Sequence, residues 1–465
     1  MSFSQIGDHV ELQRGNTYKS ALLNAEGPFL LGLGSIQKDG GFKDSNLRTY
    51  GGPSAEKMLV YPGDLYVSLK DVTQSGDLLG SVARVPKHIP VGRMTQDTVK
   101  LLFKSDIDRN YFYWLLRTPE YRNYCRSRAT GTTNLGLSRD DFFAFEVPAF
   151  SDTRQRLVNI LEHIESKIVT SVRINHTLEA IAQAIFKSWF VDFEPTKAKI
   201  AAREALLAEN PAATPEQIAT AERQAAIQAI AGAGDFIPTQ QLETIASLFP
   251  NTLVDSELGE IPKGWELCIS GELIDVRDGT HDSPKRAESG YPLVTSKHIT
   301  SGVLKLEDTY LISEEDFEKV NKRSAVKTGD ILLTMIGTVG IPYLVLEKEV
   351  NFAIKNVGLF RTSNSNKHQF YFYFLLKTQM MQDYLEARMA GTTQRYLSLK
   401  VLRNMQFISP PKDSALLSYF NLVVTPIMNL IQQNSQQKYS LAELRDSLLV
   451  KLLSGEICFE DKDVD

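Results

Sequence analysis

Apolar residues spaced three and four positions apart run along two segments of the chain. The first segment carries Ile160, Ile164 and Ile168, followed by Leu178, Ile181 and Ile185. The second, 263 positions later, carries Val423, Ile427 and Ile431, followed by Leu441, Leu444 and Leu448. Side chains at these spacings share one face of an α-helix. The pattern predicts two long amphipathic helical segments, over residues 152–194 and 412–454.

Shorter apolar runs in the rest of the chain indicate strands and a few helices. Residues 65–69 and 331–335 each follow a Gly-Asp turn and predict buried strands. Aromatic-rich segments beginning at Tyr111 and Tyr371 predict helices. Their density of aromatic residues favours burial in a core over stacking on bases. The parts of the chain outside the two long helical segments are therefore expected to form mixed α/β globular units.

The chain contains an internal repeat. The segment Tyr111 to Thr118 (YFYWLLRT) recurs 260 positions later as Tyr371 to Thr378 (YFYFLLKT). At the same offset, the box RATGTT at residues 128–133 recurs as RMAGTT at 388–393, and a Leu-Ser pair follows both boxes. In contrast, residues 71–98 and 337–356 show no clear match. A diverged duplication explains both observations, and it predicts the order globular unit, helices, globular unit, helices.

The predicted fold class is α+β, with two repeated mixed α/β domains separated by long antiparallel helices as a coiled-coil spacer, related by a pseudo-twofold repeat. The predicted segments are 1–150, a first globular domain; 151–258, a helical spacer with an Ala/Gln-rich insertion; 259–410, a second globular domain; and 411–465, a C-terminal helical spacer. The insertion between Pro195 and Pro262 could be a linker, an interface or padding, of which we favour an interface.

Charge is distributed unevenly along the chain. The net charge of −5 is the sum of +2 for residues 1–150, −5 for 151–258, +1 for 259–410 and −3 for 411–465. Because phosphate contact depends on local charge, the acidic total does not exclude nucleic-acid binding by the two globular domains.

Motifs for catalysis are missing from the sequence. There is no phosphate-binding GxxxxGK[ST] loop, no HExxH pair and no CxxC pair among the three cysteines. Ser409-Pro410-Pro411-Lys412 lacks the aromatic residue that an adenine methyltransferase places after its prolines to grip a flipped base. Without a leader-like or membrane-spanning apolar run, a cytoplasmic protein is expected, with no catalytic residue and no metal site.

Basic and polar residues around the two Gly-Thr-Thr boxes are the candidate chemistry. Arginine binds phosphate or guanine edges through two parallel hydrogen bonds, and Thr, Asn and Gln bond phosphates or base edges. A solvated helix face is the alternative interpretation of the arginines. The candidate DNA-binding residues are Arg126, Arg128, Thr132, Thr133, Asn134, Arg388, Thr392, Thr393, Gln394 and Arg395.

The duplicated boxes, the Leu-Ser pairs, the helical segments and the central sequence FKSWFVDFEP at 186–195 resemble the specificity subunits of type I restriction–modification systems. The resemblance covers nearly the whole chain. It implies two target recognition domains, each reading half of a split duplex DNA sequence, and helices that hold two modification subunits. The modification subunits would carry S-adenosylmethionine and methylate adenine, whereas restriction subunits would supply ATP-driven translocation and cleavage with Mg²⁺; this chain would bind no cofactor itself.

The same resemblance implies helix residues that bind the modification subunits, namely Leu157, Ile164, Phe186, Trp189, Phe190 and Leu448. One departure concerns the second spacer. Gln155 fits the family's pattern of a proline followed by a glutamine in the first spacer, whereas residues 410–415 (PPKDSA) contain no matching glutamine. The second contact with a modification subunit is therefore expected to differ in detail.

Two other functions remain open at this point. The chain could be a stand-alone DNA methyltransferase or nuclease, which the missing motifs disfavour. It could also be a helical scaffold with two domains that bind ligands other than DNA. Under the resemblance, a stiff spacer of about 43 residues, roughly 65 Å if wholly helical, would set the gap between two half-sites.

Overall fold

The computed structural model describes residues 3–132, 134–232, 237, 239–300, 302–364, 367–391 and 395–454. These residues form two compact units. The first unit comprises the described residues up to Val172 and from Ser435 onward, and the second unit is Arg173–Asn434. None of the described helices is long and apolar enough to cross a membrane.

The globular part of the first unit combines eleven short strands with four helices. The strands are β1 (Phe3–Gln5), β2 (Val10–Arg14), β3 (Phe29–Leu31), β4 (Leu59–Val60), β5 (Leu65–Ser68), β6 (Lys70–Asp71), β7 (Val82–Arg84), β8 (Gly92–Met94), β9 (Thr98–Phe103), β10 (Leu135–Gly136) and β11 (Glu146–Pro148). The helices are α1 (Ile6–His9), α2 (Arg109–Leu115), α3 (Pro119–Ser127) and α4 (Arg139–Phe143).

The chain also contains two long helices and an inserted group of three helices. They are α5 (Asp152–Phe190), α6 (Glu194–Glu209), α7 (Pro215–Ala231), α8 (Thr239–Ser247) and, at the far end of the chain, α14 (Leu416–Ser454).

The globular part of the second unit again alternates short strands and helices. The strands are β12 (Leu253–Ser256), β13 (Gly259–Pro262), β14 (Glu266–Ile269), β15 (Val276–Asp278), β16 (Tyr291–Val294), β17 (Tyr310–Ile312), β18 (Ile331–Thr334), β19 (Pro342–Leu344), β20 (Ala353–Ile354), β21 (Val357–Phe360) and β22 (Gln406–Ser409). The helices are α9 (Ser270–Leu273), α10 (Glu314–Ser324), α11 (Gln369–Leu376), α12 (Gln379–Glu386) and α13 (Leu399–Arg403).

The two globular parts share most of their topology, although the third strand of the three-stranded sheet pairs differently in the two units. Each has an antiparallel four-stranded sheet, with strand order β2-β9-β5-β7 in the first unit and β15-β21-β18-β19 in the second. Each also has a three-stranded sheet containing one parallel pair, β3 with β8 and β16 with β20. A third pair joins a strand near the start of each globular part to its last strand, β1 with β11 and β14 with β22. The internal repeat predicted from the sequence is confirmed by this shared topology.

The buried strands and aromatic helices lie where the sequence places them. Strands β5 and β18 are buried at every position. In the first unit Tyr111, Phe112 and Trp114 of α2 are fully enclosed, as are Phe372 and Phe374 of α11 in the second. The prediction that these aromatic segments are core is confirmed.

Helices α5 and α14 are each 39 residues long, and each contributes to both units. Within the first unit they run antiparallel, because Arg154 lies beside Leu453 whereas Glu165 lies beside Arg445. Within the second unit Asn175 contacts Ile431 and Phe186 contacts Phe420, which is again antiparallel. The prediction of long antiparallel helices is confirmed inside each unit.

The apolar stripe of the first helix matches the prediction at Ile164, Leu178 and Ile185, which are buried, and departs from it near the start of the helix. There the buried residues are Leu157, Val158, Leu161 and Ile164, whereas Ile160 is exposed. The predicted stripe took the three isoleucines at spacings of four, but a face at 3.6 residues per turn drifts away from such a series. Leu444, predicted to lie on the matching stripe of α14, is likewise exposed.

The first helix also ends earlier than predicted. Phe193 takes a left-handed conformation with φ of 55°, which separates α5 from α6, whose first turn contains Pro195. Its ring packs edge-on against Trp265, with ring centroids 5.4 Å apart. This contact stabilises a backbone conformation that bulky residues rarely adopt. The second helix starts at Leu416 rather than at residue 412.

The Ala/Gln-rich insertion is helical and packs into the second unit. Ile230, Ile245 and Phe249 lie in the core of that unit. The buried Lys199 donates from Nζ to the carbonyl oxygen of Phe249 at 2.5 Å, which ties α6 to the end of α8. No described residue between 194 and 252 is a large apolar side chain open to solvent. The structure thus gives the insertion a packing role, and the predicted interface stays a prediction.

The predicted segment boundaries separate the helices from the globular domains. The compact units group the chain differently, since each contains part of both long helices. The reason is physical: the first core takes in Leu157, Leu161, Leu449 and Leu452 along with the globular residues.

Candidate nucleic-acid interface

The same pair of backbone hydrogen bonds joins the residues that flank each Gly-Thr-Thr box. We call residues 131–135 the first loop and residues 391–395 the second loop. Thr130 N donates to Gly136 O at 2.9 Å, and Gly136 N donates back at 2.8 Å. Ala390 and Tyr396 exchange the equivalent bonds, both at 2.9 Å. The two units therefore present loops of the same length on the same framework.

The glycine that opens each loop has a conformational reason. Gly131 has φ of +102° and Gly391 has φ of +90°, a region that favours glycine. In the first loop a Cβ at residue 131 would also overlap the carbonyl oxygen of Asn134. An exposed loop of this geometry cannot accept a side chain at its first position without rearranging.

Each loop is tied to the residue that follows an inner strand of the four-stranded sheet, β5 in the first unit and β18 in the second. Leu137 N donates to Leu69 O, and Leu397 N donates to Met335 O, both at 2.9 Å. The serine that follows caps the next short helix: Ser138 Oγ accepts from Asp141 N at 3.0 Å, and Ser398 Oγ accepts from Val401 N at 3.3 Å. Capping fixes the chain direction after the loop.

An arginine stacked on a tyrosine stands at the base of each loop. The guanidinium carbon of Arg128 lies 3.8 Å from the ring centroid of Tyr124, and that of Arg388 lies 3.7 Å from the ring centroid of Tyr384. Each tyrosine is itself anchored, since Tyr124 OH donates to Asp141 O at 2.7 Å and Tyr384 OH donates to Asn404 O at 2.9 Å. Both arginines remain exposed to solvent.

The other candidate DNA-binding residues are placed less uniformly. Thr132 and Asn134 are exposed in the first loop. Arg126 forms an ion pair with Asp39 and lines a cavity of about 400 Å³ that does not include the loop. Arg395 is exposed, with Nη1 3.7 Å from Glu386 Oε1. Thr133, Thr392, Thr393 and Gln394 lie outside the described residues.

A groove of about 490 Å³ adjoins the first loop and contains residues that sequence reasoning missed. Asn134 lines it together with Lys70, Val72, Gln96 and Asp97. Lys70 Nζ lies 3.3 Å from Asp97, and Val72 is 62% exposed despite being apolar. The only signal in the sequence was that residues 71–98 have no match in the second half.

A buried carboxylate holds the segment that carries Val72. Asp71 is fully buried and accepts hydrogen bonds from Thr73 N and Leu78 N, both at 2.7 Å. Strand β6, which ends at Asp71, pairs with β10 at the end of the first loop. The groove is therefore built from segments that hold each other in place.

The residues expected to bind modification subunits are mostly internal. Leu157 and Ile164 are buried in the core of the first unit, and Leu448 packs against that core. In the second unit Phe186, Trp189 and Phe190 are buried. Their role in the structure is to attach the helices to the globular parts, and the partner contact predicted for them stays untested.

Other apolar residues of the two long helices do face solvent. They include Val169, Tyr439 and Leu444 in the first unit, and Leu422 and Leu430 in the second. Apolar side chains exposed at several points on a helix pair provide a surface for another protein.

Glutamates of α5 anchor the aromatic helix of each unit. Trp114 Nε1 donates to Glu162 at 2.7 Å, and Arg117 lies 3.6 Å from Glu165. In the second unit Lys377 pairs with Glu179, which also accepts from Tyr373 OH at 3.2 Å.

The charged surroundings of Glu165 set its protonation. Burial acts to raise the pKa of Glu165, but Arg117 and Arg445 outweigh burial and hold the pKa below its ordinary value of 4.5. The carboxylate is therefore ionised at neutral pH and joins helix α14 to helix α5 through Arg445, 3.0 Å away.

The part of the chain that the structure describes holds no group of three or more His, Cys, Asp or Glu side chains arranged to bind a metal ion. The candidate site contains exposed loop residues, the amide side chains of Asn134 and Gln96, and the stacked arginines. Such a surface is suited to binding a polyanion and reading base edges.

Comparison with known proteins agrees with this chemistry. Residues 262–415 match the family model of the type I restriction modification DNA specificity domain. The type I restriction enzyme MjaIX specificity subunit of Methanocaldococcus jannaschii is 25% identical over 370 residues, covering 77% of this chain and 71% of that protein. The HindI specificity subunit of Haemophilus influenzae is 27% identical over 325 residues, covering 66% of this chain and 67% of that protein.

Among solved structures, the S subunit of a type I restriction–modification system from M. genitalium aligns with 97% of this chain at 14% identity and a TM-score of 0.49, over 95% of its own length. The globular part of the second unit is therefore similar to type I restriction modification DNA specificity domains. The chain as a whole is similar to the specificity subunits of type I restriction enzymes.

Proposed function

We propose that this chain is the DNA-binding specificity subunit of a type I restriction–modification complex, and that each globular unit reads one half of a bipartite target. The observation that carries the proposal is the repeated loop framework. In both units the same pair of backbone hydrogen bonds frames the Gly-Thr-Thr box, beside an arginine stacked on a tyrosine. A duplicated binding surface is what a target with two half-sites requires.

The helices support the bipartite nature of that target. Helices α5 and α14 each continue unbroken through residues of both units, and helical segments are stiffer than the flexible linkers that allow free variation in spacing. Two linked binding sites also gain affinity through effective concentration. A target with a fixed gap between half-sites is therefore expected.

We further propose that modification subunits dock on the exposed apolar residues of the helices, rather than on the buried ones named from the sequence. Val169, Tyr439 and Leu444 offer such a surface in the first unit, and Leu422 and Leu430 offer one in the second. Restriction subunits would join the complex afterwards. S-adenosylmethionine, ATP and Mg²⁺ would belong to these partners, and the chain would have no catalysis of its own.

Selection from a random duplex library tests the function directly. The chain is assembled with its modification subunits, and bound duplexes are recovered and sequenced. Enrichment of two short sequences at one fixed spacing is the expected result. A scaffold for ligands other than DNA would enrich no sequence even when the modification subunits are present.

A separate binding assay tests the absence of catalysis. The purified chain alone is titrated with S-adenosylmethionine in a calorimeter, next to the assembled complex. We expect heat only from the complex. Stoichiometric binding by the chain alone would favour a stand-alone methyltransferase.

A further inference from the structure

The two units differ in some positions of the candidate interface and agree in others. The stacked pair Arg128 on Tyr124 is repeated as Arg388 on Tyr384, with centroid distances that differ by no more than 0.1 Å. At the same offset of 260, Arg126 is replaced by Glu386, which reverses the charge, and Asn134 is replaced by Gln394.

If the units read different half-sites, residues that are the same in both units and residues that differ between them are expected to have different roles. A feature present in both units must serve what the half-sites share, and they share the sugar–phosphate backbone. A feature that differs is free to serve the base sequence. The following step rests on the proposed function, since it assumes that the units bind DNA.

We propose that Arg128 and Arg388 are phosphate-binding residues that fix each unit on the duplex, and that sequence is read by the residues that differ between the units, including Asn134.

The stacked geometry suits a phosphate. The tyrosine ring covers one face of the guanidinium, which holds its plane while leaving in-plane N–H groups to donate. A planar fork binds phosphate oxygens through two parallel hydrogen bonds. The side chain of Arg128 is 44% exposed, so these donors are accessible to a ligand.

The existing partners of these arginines do not block this role. Arg128 Nε lies 3.5 Å from Asp141, but both side chains are well exposed, and such surface pairs contribute little. The residue matching Asp141 in the second unit is Val401, so that pairing is not common to both units. Arg388 instead donates to the backbone oxygen of Tyr384 at 3.2 Å. Among the side-chain contacts of these arginines with described residues, the stacking on tyrosine is the one found in both units.

The differing residues have the chemistry for reading bases. Asn134 and Gln96 both line the groove beside the first loop. Side-chain amides bind adenine through two hydrogen bonds in the major groove. An apolar side chain contacts the methyl group of thymine, and the exposed Val72 lies in the same groove. The first half-site is therefore expected to contain an A·T pair contacted from this groove.

The test measures salt dependence and sequence preference on the same complexes. The chain is assembled with its modification subunits, and its affinity for the selected target duplex and for a scrambled duplex is measured from 50 to 200 mM salt. The variants are Arg128→Gln, Arg388→Gln, the double variant and Asn134→Ala. Arg173→Gln is the matched control, because it removes the same charge from an exposed position on α5.

Each phosphate contact adds about 0.9 to the slope of log affinity against log salt concentration. We expect the slope to fall by about 0.9 in each single arginine variant and by about 1.8 in the double variant, with the preferred sequence unchanged. Asn134→Ala should keep the slope and lose discrimination at one position of one half-site. Arg173→Gln should keep both.

Three results overturn the inference. An unchanged slope in both arginine variants would show that the stacks are structural, and a changed preferred sequence would show that the arginines read bases. If Asn134→Ala left sequence discrimination unchanged in both half-sites, Asn134 would not be a residue that reads bases. A wild-type complex that does not prefer its target over the scrambled duplex instead contradicts the proposed function itself.

If Arg128→Gln does not fold, Arg128→Lys serves in its place. Lysine keeps the charge that pairs with a phosphate but loses the planar fork. A phosphate-binding role predicts a slope close to that of the wild type with weaker binding. A role in reading bases predicts that the preferred sequence changes, which would contradict the inference.

Discussion

Arg154 in the first turn of α5 donates to the last carbonyl groups of α14. Its Nε lies 3.1 Å from Leu452 O, and its Nη2 lies 2.9 Å from Leu453 O. The last carbonyl groups of a helix have no hydrogen-bond donor within the helix, so this guanidinium supplies donors to them. Its positive charge also interacts favourably with the partial negative charge at the C-terminal end of the helix. One buried side chain thus joins residues that are nearly 300 positions apart in the sequence.

Replacing Arg154 should destabilise the first unit. Arg154→Ala leaves two buried carbonyl oxygens without donors, which we expect to cost about 2 kcal/mol of unfolding free energy. Denaturant unfolding followed by circular dichroism measures it. The control is Lys167→Ala, an exposed position on the same helix, which should change stability by less than about 0.5 kcal/mol. Equal effects of the two substitutions would refute the capping role.

The first loop should depend on the glycine at its start. Gly131→Ala forces a side chain into a left-handed backbone position that is also sterically closed. We expect the target affinity of the assembled complex to fall by tenfold or more, while the rest of the unit stays folded. Gly63→Ala is the control, since Gly63 has φ of +90° but open space around it. If both variants bound DNA like the wild type, the loop would not belong to the interface.

Acid should weaken the first unit through Glu165. Its folded pKa lies below the ordinary value of 4.5, so its contribution to stability is present above that value and is lost as the pH falls through the folded pKa. We therefore expect the unfolding free energy of wild type and Glu165→Gln to converge as the pH is lowered from 7 towards 3. Melting curves across this range measure the difference. A difference that grows on acidification would contradict the assignment.

The exposed apolar positions of the helices should matter for assembly and not for folding. Leu430 on α14 is 45% exposed, so Leu430→Asp should leave the melting temperature nearly unchanged and weaken binding of a modification subunit. The matched control is Val303→Asp, at a position 50% exposed in the same unit but away from the helices. Size-exclusion chromatography with the modification subunit measures complex formation by each of the two variants. Normal assembly of Leu430→Asp would place the docking surface elsewhere.

The fold was predictable because the internal repeat is visible in the sequence. Identical spacing of the aromatic segment, the glycine box and the Leu-Ser pair implies two copies of one fold, and the shared sheet order bears this out. The phase of the long helices was harder to predict. Leu157 and Ile160 are equally apolar, and only the packing of the folded chain decides which of them is buried.

The candidate interface was predictable only in part. The Gly-Thr-Thr loops carry a repeated signature, but the groove beside the first loop draws on Lys70, Gln96 and Asn134, which only folding brings together. Tyr124 and Tyr384 precede their arginines by four positions, one helical turn, a spacing that does not distinguish a stacking platform from a core residue. The family resemblance implies that Phe186 and Trp189 contact a modification subunit, yet the structure buries both side chains.

The methylation map of a host that lacks other adenine methyltransferases, but expresses this chain with its modification subunit, tests the central claim most directly. Two units that share most of their topology predict one methylated motif made of two short specific sequences separated by a constant number of unspecified base pairs. A single uninterrupted motif, a gap of variable length, or methylation without sequence preference would contradict the assignment of one half-site to each unit.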